Sequence, residues 1–232
     1  KYNSPEMFKN ALLSFSAFQM WSEDGYNKAK KLNDINLNIE PDNHHSINVT
    51  GWLLYQKVLL GLSQNPQEDL KKAHKLAAGV LEKHPDHVLS IQLATTMETQ
   101  FGDFDAACSR LDKMIKLSRM IIEIVSTAEA QRQCGDYKGS IETFEKAFEI
   151  SPHFSSWIKV SYAYALMQNG DLEAAKRYAL EQSKKEHSYS RGNAAFSAML
   201  AYIYDNEGDR ALAQQYFNKQ KSMKDLSLIH IS

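Results

Sequence analysis

The chain has 232 residues, of which 43% are hydrophobic and 24% charged, and its formal net charge is -1. This length and apolar content suffice for a sizeable core, whereas the interspersed charges give no positive field suited to a nucleic-acid backbone. We therefore expect no nucleic-acid binding. No apolar run approaches the ~20 residues that span a bilayer, so we also expect no membrane insertion and a cytoplasmic location.

The first predicted elements are a pair of helices near the start of the chain. Ser4-Pro5-Glu6 is a typical helix start, because serine can cap a helix and proline suits its first turn. We therefore expect one helix from about Glu6 to Ser22 and a second from about Tyr26 to Ile39, which Pro41 closes.

Histidines occur in two short segments that follow. Asn43-His44-His45-Ser46 is interpreted as a loop, with Ser46 as the N-cap of a long helix from about Ile47 to Leu62. Adjacent histidines are expected to point apart, and no carboxylate or thiol cluster is spaced to join them. His84-Pro85-Asp86-His87 is interpreted as a turn between repeats and not as a ligand pair. The sequence therefore predicts no metal site and no cofactor.

Helical patterns separated by short turns continue along the rest of the chain. The segments from Glu68 to Lys83 and after Asp209 have the apolar pattern of amphipathic helices. The expected helices run from Glu68 to Lys83, Val88 to Gln100, Asp105 to Leu117, Met120 to Cys134 and Lys138 to Ile150, then through two aromatic-rich segments, and finally from Asp209 to about Lys224.

The stretch from Ile121 to Ser155 contains one complete two-helix unit. Gly135 can adopt the left-handed conformation that ends a helix, and the following aspartate can cap the next one. Small residues seven positions before and five positions after the glycine, Ala128 and Ser140, let two antiparallel helices approach closely. Pro152 stops the second helix because it lacks an amide hydrogen.

The same pattern recurs along the chain. Gly102, Gly170 and Gly208 occupy equivalent turns, and in two upstream copies Asp24 and Glu68 stand in place of the glycine. From Glu68 onward the turns are 34, 33, 35 and 38 residues apart, a period that predicts a stack of helical hairpins. The residue five positions after each turn is small: Ala29, Ala73, Ala107, Ser140, Ala175 and Ala213.

This pattern resembles the tetratricopeptide repeat (TPR) family over about Ser4 to Asp225. The resemblance implies an all-α fold, a right-handed superhelical solenoid of about six TPR helix-turn-helix hairpins. Within an array over 1–225, the units are expected at about 10–43, 54–87, 88–120, 121–155, 156–189 and 194–225. Residues 226–232, LSLIHIS, look like translated sequencing adapter and are expected to be a non-native tail, which would make the chain an internal fragment.

The TPR resemblance also implies a binding surface. First helices of such repeats line a concave groove, into which the side chains six and thirteen residues before each turn point. The alternative is that the aromatic rings at these positions pack between neighbouring repeats as core. We predict that a protein or peptide partner binds in this groove to Glu129, Arg132, Trp157, Tyr164 and Tyr202.

Three segments show a narrower resemblance, to the C-terminal TPR region of bacterial class III adenylate/guanylate cyclases and of winged-helix regulators. They are SPEMFKNALLSFSAFQMW at 4–21, NPQEDLKKAHKLAAGVLEKHPDH at 65–87 and SPHFSSWIKVSYAYALMQNGDLEAA at 151–175. This resemblance implies the regulatory region of a multidomain bacterial signalling protein, with a cyclase or other catalytic domain upstream. Asn33 and Lys159 depart from it, because they stand at positions that are apolar in that family.

The chain itself is predicted to be non-catalytic. It has no Ser/His/Asp or Cys/His constellation, no glycine-rich phosphate loop and no His/Glu metal motif. We therefore expect a TPR protein-interaction scaffold, with self-association through the array as a further possibility. The alternatives are a stand-alone peptide-binding TPR adaptor and a substrate-presenting TPR arm of an enzyme.

Overall fold

The computed structural model describes residues 3–151, 153–185 and 191–221, and within these ranges the chain forms helices and no strands. The prediction of an all-α fold is confirmed. Pro152 and the proposed non-native tail at 226–232 lie outside the described residues. The helices are α1 (Pro5–Phe18), α2 (Glu23–Ile39), α3 (His44–Leu59), α4 (Pro66–Lys83), α5 (Val88–Gln100), α6 (Phe104–Cys108), α7 (Leu111–Leu117), α8 (Ile121–Gln133), α9 (Tyr137–Ile150), α10 (Ser156–Gln168), α11 (Leu172–Lys185), α12 (Arg191–Asn206) and α13 (Arg210–Lys221).

Short polar residues start most of these helices. Each accepts a hydrogen bond from the backbone amide three residues later, which satisfies one of the unpaired donors at a helix N-terminus. Proline follows the cap in α1 and α4, where its missing amide costs no hydrogen bond. The capping residues are Ser4, Ser22, Asn43, Asn65, Asp103, Asp136 and Asp209.

The turn glycines of the later hairpins have the predicted conformation. Gly102, Gly135, Gly170 and Gly208 have φ values of 79°, 81°, 87° and 83°, in the left-handed region that costs other residues strain.

The two upstream turns lie earlier than predicted. The residues with positive φ are Trp21, at 46°, and Gly61, at 70°. Asp24 and Glu68, which we predicted to be turn residues, instead lie in the first turns of α2 and α4. The reason is local, because the caps Ser22 and Asn65 start these helices ahead of the acidic residues. Acidic side chains in a first turn also interact favourably with the positive end of the helix dipole.

The first of two compact units, Lys1–Arg119, contains three hairpins: α1 with α2, α3 with α4, and α5 with α6 and α7. Ala29, Ala73 and Ala107 are completely buried, as close packing between paired helices requires. Leu70, Ala77, Leu93, Ala94 and Met97 gather around Ala73 to form one core cluster of this unit.

The second helix of the third hairpin is interrupted, whereas we predicted one helix from Asp105 to Leu117. The carbonyl of Ala106 accepts hydrogen bonds from Ser109 Oγ at 2.7 Å and from Arg110 Nη1 at 2.9 Å. These side chains compete with the backbone amide that would continue the helix. The chain therefore turns at Ser109 and Arg110 and resumes as α7.

The second unit, Met120–Ser232, contains the hairpins α8/α9, α10/α11 and α12/α13. Ser140 and Ala175 are completely buried, and Ala213 is nearly so. Ser140 donates its hydroxyl hydrogen to the carbonyl of Ala128 at 2.7 Å, which joins the two small positions predicted to lie at a helix crossing. Phe144 and Phe196 are the largest completely buried side chains of this unit.

Candidate functional site

The first helices of the second unit lie side by side, since α10 contacts both α8 and α12. The second helices α9 and α11 pack against the following first helices, α10 and α12. All five residues predicted to bind a partner lie on these first helices. We refer to Glu129, Arg132, Trp157, Tyr164 and Tyr202 together as the first-helix set.

An ion pair forms the polar part of this set. Arg132 donates from Nε to Glu129 Oε2 at 3.0 Å and from Nη2 to Glu129 Oε1 at 2.6 Å. The two side chains are only 19% and 13% exposed. Burial lowers the pKa of Arg132, but the carboxylate of Glu129 outweighs this effect and raises the pKa above its ordinary value. The guanidinium is therefore charged, and the carboxylate of Glu129 compensates its charge.

The same guanidinium joins two first helices. Its third nitrogen, Nη1, donates to Oε1 of Gln168 on α10 at 2.9 Å. Gln168 was not among the residues predicted from the sequence. Its position four residues after Tyr164, and so on the same helix face, is the signal that could have identified it.

Tyr164 lies close to this ion pair and is half-buried. Its ring packs against the core cluster that contains Ala163, Leu166 and Phe196. Burial raises the pKa of the Tyr164 hydroxyl, and the positive charge of Arg132 opposes part of that rise. The structure thus brings Glu129, Arg132 and Tyr164 together.

Trp157 and Tyr202 have different surroundings. Trp157 is half-buried and packs against the cluster around Val125 and Phe144. Tyr202 is 56% exposed, so it is more accessible than the half-buried Trp157 and Tyr164. The alternative raised by the sequence, that the rings serve as core, therefore fits Trp157 and Tyr164 better than Tyr202.

A second polar cluster lies in the first unit and consists of histidines. His44 and His45 occupy the first turn of α3, while His87 is the N-cap residue of α5. Each of the three offers one ring nitrogen, and these nitrogens all lie within 4.8 Å of one another. His84, the C-cap of α4, packs its ring against His44 with centroids 4.2 Å apart.

Hydrogen bonds orient these rings. His87 Nε2 lies 3.1 Å from His45 Nδ1, and His87 Nδ1 lies 2.7 Å from Ser90 Oγ. Asn48 Nδ2 donates to the same serine oxygen at 3.0 Å. The buried Ser90 hydroxyl therefore holds one nitrogen of His87 and leaves the other directed at His45.

The surroundings keep these imidazoles neutral. Burial, with a smaller contribution from His44, lowers the pKa of His45 to about 3. The same two causes lower the pKa of His87 to about 4. The pKa of His44 is also lowered, by burial and by His84. Neutral imidazoles are the form that binds metal ions.

Two expectations about this region are wrong. The segment from Asn43 to Ser46 is not a loop, because Asn43 caps α3 by accepting from the amide of Ser46 at 3.1 Å. His44 and His45 do not point apart, since their ring centroids are 4.1 Å from each other. The turn predicted from His84 to His87 is confirmed, with the amide of His87 donating to the carbonyl of His84 at 3.1 Å.

Comparison with protein families identifies TPR repeats in this chain. The model of the tetratricopeptide repeat matches residues 128–154 and 194–225. These ranges overlap the hairpins α8/α9 and α12/α13, where the turn glycine and the buried small residue five positions after it follow the predicted pattern. Comparison with curated proteins returned no match.

Solved structures with a similar fold include TPR proteins. A tetratricopeptide repeat protein from Parabacteroides merdae is 15% identical, with a TM-score of 0.53 over 97% of this chain and 99% of that one. The nearly identical TPR-like repeats assigned to a kinesin light chain of Podosopora anserina are 16% identical, with a TM-score of 0.55 over 79% and 97%. The MamA structure is 14% identical, with a TM-score of 0.50 over 68% and 91%. At these identities the likeness concerns the fold alone.

The TPR fold is in general a protein-interaction scaffold and is not catalytic. In the described part of the chain, no helix combines the length and apolar character needed to cross a bilayer.

Proposed function

We propose that the chain is a non-catalytic interaction scaffold whose first-helix set binds an extended segment of a protein partner. The observation that carries the proposal is the exposure of Tyr202 on a first helix of a TPR hairpin. An exposed tyrosine offers a large contact area at low entropic cost, and tyrosine is enriched among interface anchors.

The polar members of the set favour an uncharged segment of the partner. Glu129 and Arg132 neutralise each other, so a partner charge placed beside them would gain little. Gln168 and Gln133 supply side-chain amides next to this pair, and an extended backbone presents the matching donors and acceptors. The proposed occupant is therefore an extended peptide with an apolar side chain that packs on Tyr202.

A display selection of uncharged extended peptides against the purified chain, followed by affinity measurements, tests this proposal. For the selected peptides, Tyr202→Ala should weaken binding by about 2 kcal/mol, the scale of an interface anchor. Its melting temperature should barely change, since exposed substitutions rarely shift stability by more than about 0.5 kcal/mol.

Phe217→Ala is the matched control. Phe217 is 46% exposed, but it lies on the second helix α13. It should retain wild-type affinity. Equal losses in both variants would indicate non-specific contact with exposed rings, and no loss in Tyr202→Ala would exclude the proposed anchor.

We further propose that this scaffold is the cytoplasmic regulatory region of a multidomain bacterial signalling protein such as a class III adenylate cyclase. Support comes from the three segments that resemble the C-terminal TPR regions of those proteins. The coding sequence ahead of Lys1 tests the idea, because a cyclase or winged-helix domain there agrees with it. A start codon would favour the stand-alone adaptor, and an unrelated catalytic domain would favour the substrate-presenting arm.

A further inference from the structure

We propose that His44, His45 and His87 form a binding site for Zn²⁺ at the junction of α3 and α5. Imidazole nitrogen suits Zn²⁺, Cu²⁺ and Ni²⁺, and three protein ligands around one metal ion are a recurrent arrangement. The site is independent of the first-helix set, because its ligands all lie in the first unit.

The distance between the ring nitrogens of His45 and His87 already suits two ligands of one tetrahedral ion. Two nitrogens that each lie 2.0–2.1 Å from a tetrahedral Zn²⁺ are about 3.4 Å apart. His45 Nδ1 and His87 Nε2 are separated by 3.1 Å. The nitrogen of His44 lies within 4.8 Å of both, so a change in a side-chain torsion of this half-buried residue completes the set.

Ser90 and Asn48 form the outer part of the site. A metal-binding histidine usually donates a hydrogen bond from its second ring N–H to an oxygen acceptor, which fixes the tautomer. When His87 Nδ1 donates to Ser90 Oγ, 2.7 Å away, Nε2 carries the lone pair that faces His45. Ser90 Oγ also accepts from Asn48, and Asn48 donates to the carbonyl of Leu89 at 3.1 Å, so the acceptor is itself held in place.

The elements that carry the ligands are firmly packed. Asn43 fixes the first turn of α3, with its amide donating to Glu40 at 3.1 Å. Val88 and Ser90, on either side of Leu89 at the start of α5, are buried. A bound ion would therefore join the beginnings of two first helices from successive hairpins, and metal binding would stabilise the first unit.

Calorimetric titration of the tag-free, chelator-treated chain with ZnCl₂ tests the proposal. We expect one ion per chain, no heat from MgCl₂, and a melting temperature about 5–10 °C higher at a hundredfold excess of Zn²⁺ over its Kd. His45→Gln and His87→Gln should each weaken Zn²⁺ binding at least about tenfold, since even outer ligand partners contribute that much.

His153→Gln is the matched control, because His153 is an exposed histidine of the second unit. It should bind Zn²⁺ as the wild type does. Equal binding by the wild type and by His45→Gln and His87→Gln would overturn the proposal and leave a hydrogen-bonded imidazole cluster only. An equal loss in His153→Gln would also overturn it.

A measurement on the wild type alone covers the case in which a ligand variant fails to fold. In long-range ¹⁵N imidazole NMR spectra, Zn²⁺ should shift the ring nitrogens of His44, His45 and His87 and leave His74 and His153 unchanged. Shifts confined to other histidines, or none at one equivalent of Zn²⁺, would contradict the site.

Discussion

Buried asparagines connect the helices of the first unit. Asn36 donates to the carbonyl of Met7 at 2.9 Å and accepts from Asn10 at 3.2 Å, which ties α2 to α1. Asn33 donates to the carbonyl of Ser46 at 3.0 Å and so ties α2 to α3. A buried amide is stable only while its partners are in register, so these contacts specify how successive helices pack. They also explain how the polar side chain of Asn33 is accommodated at a buried position.

Asp69 is a buried charged side chain that hydrogen bonds hold in place, as they hold the asparagines. Its pKa leads to a prediction about the pH dependence of stability. Burial raises its pKa, but hydrogen bonds from Lys57 Nζ at 2.8 Å and Ser63 Oγ at 2.7 Å outweigh burial, so the pKa lies below 3.8. Because the folded pKa is below the unfolded one, the carboxylate contributes its full stabilisation above the unfolded pKa. That stabilisation disappears as the pH falls through the folded pKa.

Asp69→Asn should therefore lower the free energy of unfolding at neutral pH by about 1–3 kcal/mol. Urea denaturation should show the difference from wild type shrinking once the pH falls well below 3.8. The control is Asp34→Asn, which removes an exposed pair with Lys30 whose side chains are 52% and 49% exposed. It should cost less than about 0.5 kcal/mol. Equal costs for the two variants would mean that the Asp69 contacts contribute no more than a surface pair.

At the scale of the helix pair, the small residue after each turn sets how closely two helices approach. Ala175 is completely buried and packs in the cluster with Ala163, Phe196 and Leu200. We expect Ala175→Leu to overpack this crossing and lower the free energy of unfolding by about 1–3 kcal/mol. Thermal or urea denaturation measures the change.

Glu173→Leu introduces the same side chain two residues earlier on the exposed side of α11. It should alter stability by no more than about 0.5 kcal/mol. If the two variants were equally stable, the register assigned to this repeat would be wrong.

Local signals account for the elements that the sequence predicted well. The turn at Gly135 and the small residue Ser140 depend on nearby backbone geometry, and they recur with the repeat. The start of α3 was misplaced because Asn43 and Ser46 are both good caps, and the choice depends on which one accepts the amide hydrogen. The break after α6 depends on Arg110, which is held by Glu98 on another helix.

The two candidate sites also differ in whether local sequence signals or contacts between distant segments define them. The location of Glu129, Trp157, Tyr164 and Tyr202 on first helices was predictable, because it follows from their distance to each turn. His44 and His87 are 43 positions apart in sequence, and they meet because α3 and α5 are in contact. Nothing in the spacing of either histidine segment indicates that contact. Gln168 was missed for a related reason, since its partner Arg132 belongs to the preceding hairpin.

At the scale of the whole molecule, each of the two units has core clusters of its own. The clusters around Ala73 and around Ala17, Ala29 and Leu53 belong to the first unit. The clusters around Phe144 and around Phe196 belong to the second. Repeat arrays bury apolar surface mainly between neighbouring helices, so a piece that retains whole hairpins also retains its core.

We therefore expect residues 1–119 and residues 120–232, produced separately, each to keep helical circular dichroism and a cooperative thermal transition.

The fragments also separate the two sites, because the proposed zinc ligands lie in the first and the first-helix set lies in the second. Zn²⁺ should raise the melting temperature of 1–119 and leave that of 120–232 unchanged, whereas peptide binding should follow 120–232. A non-cooperative transition in either fragment would contradict the independence of the cores. A zinc-dependent rise confined to 120–232 would place the metal ligands among its own histidines and contradict the site at His44, His45 and His87.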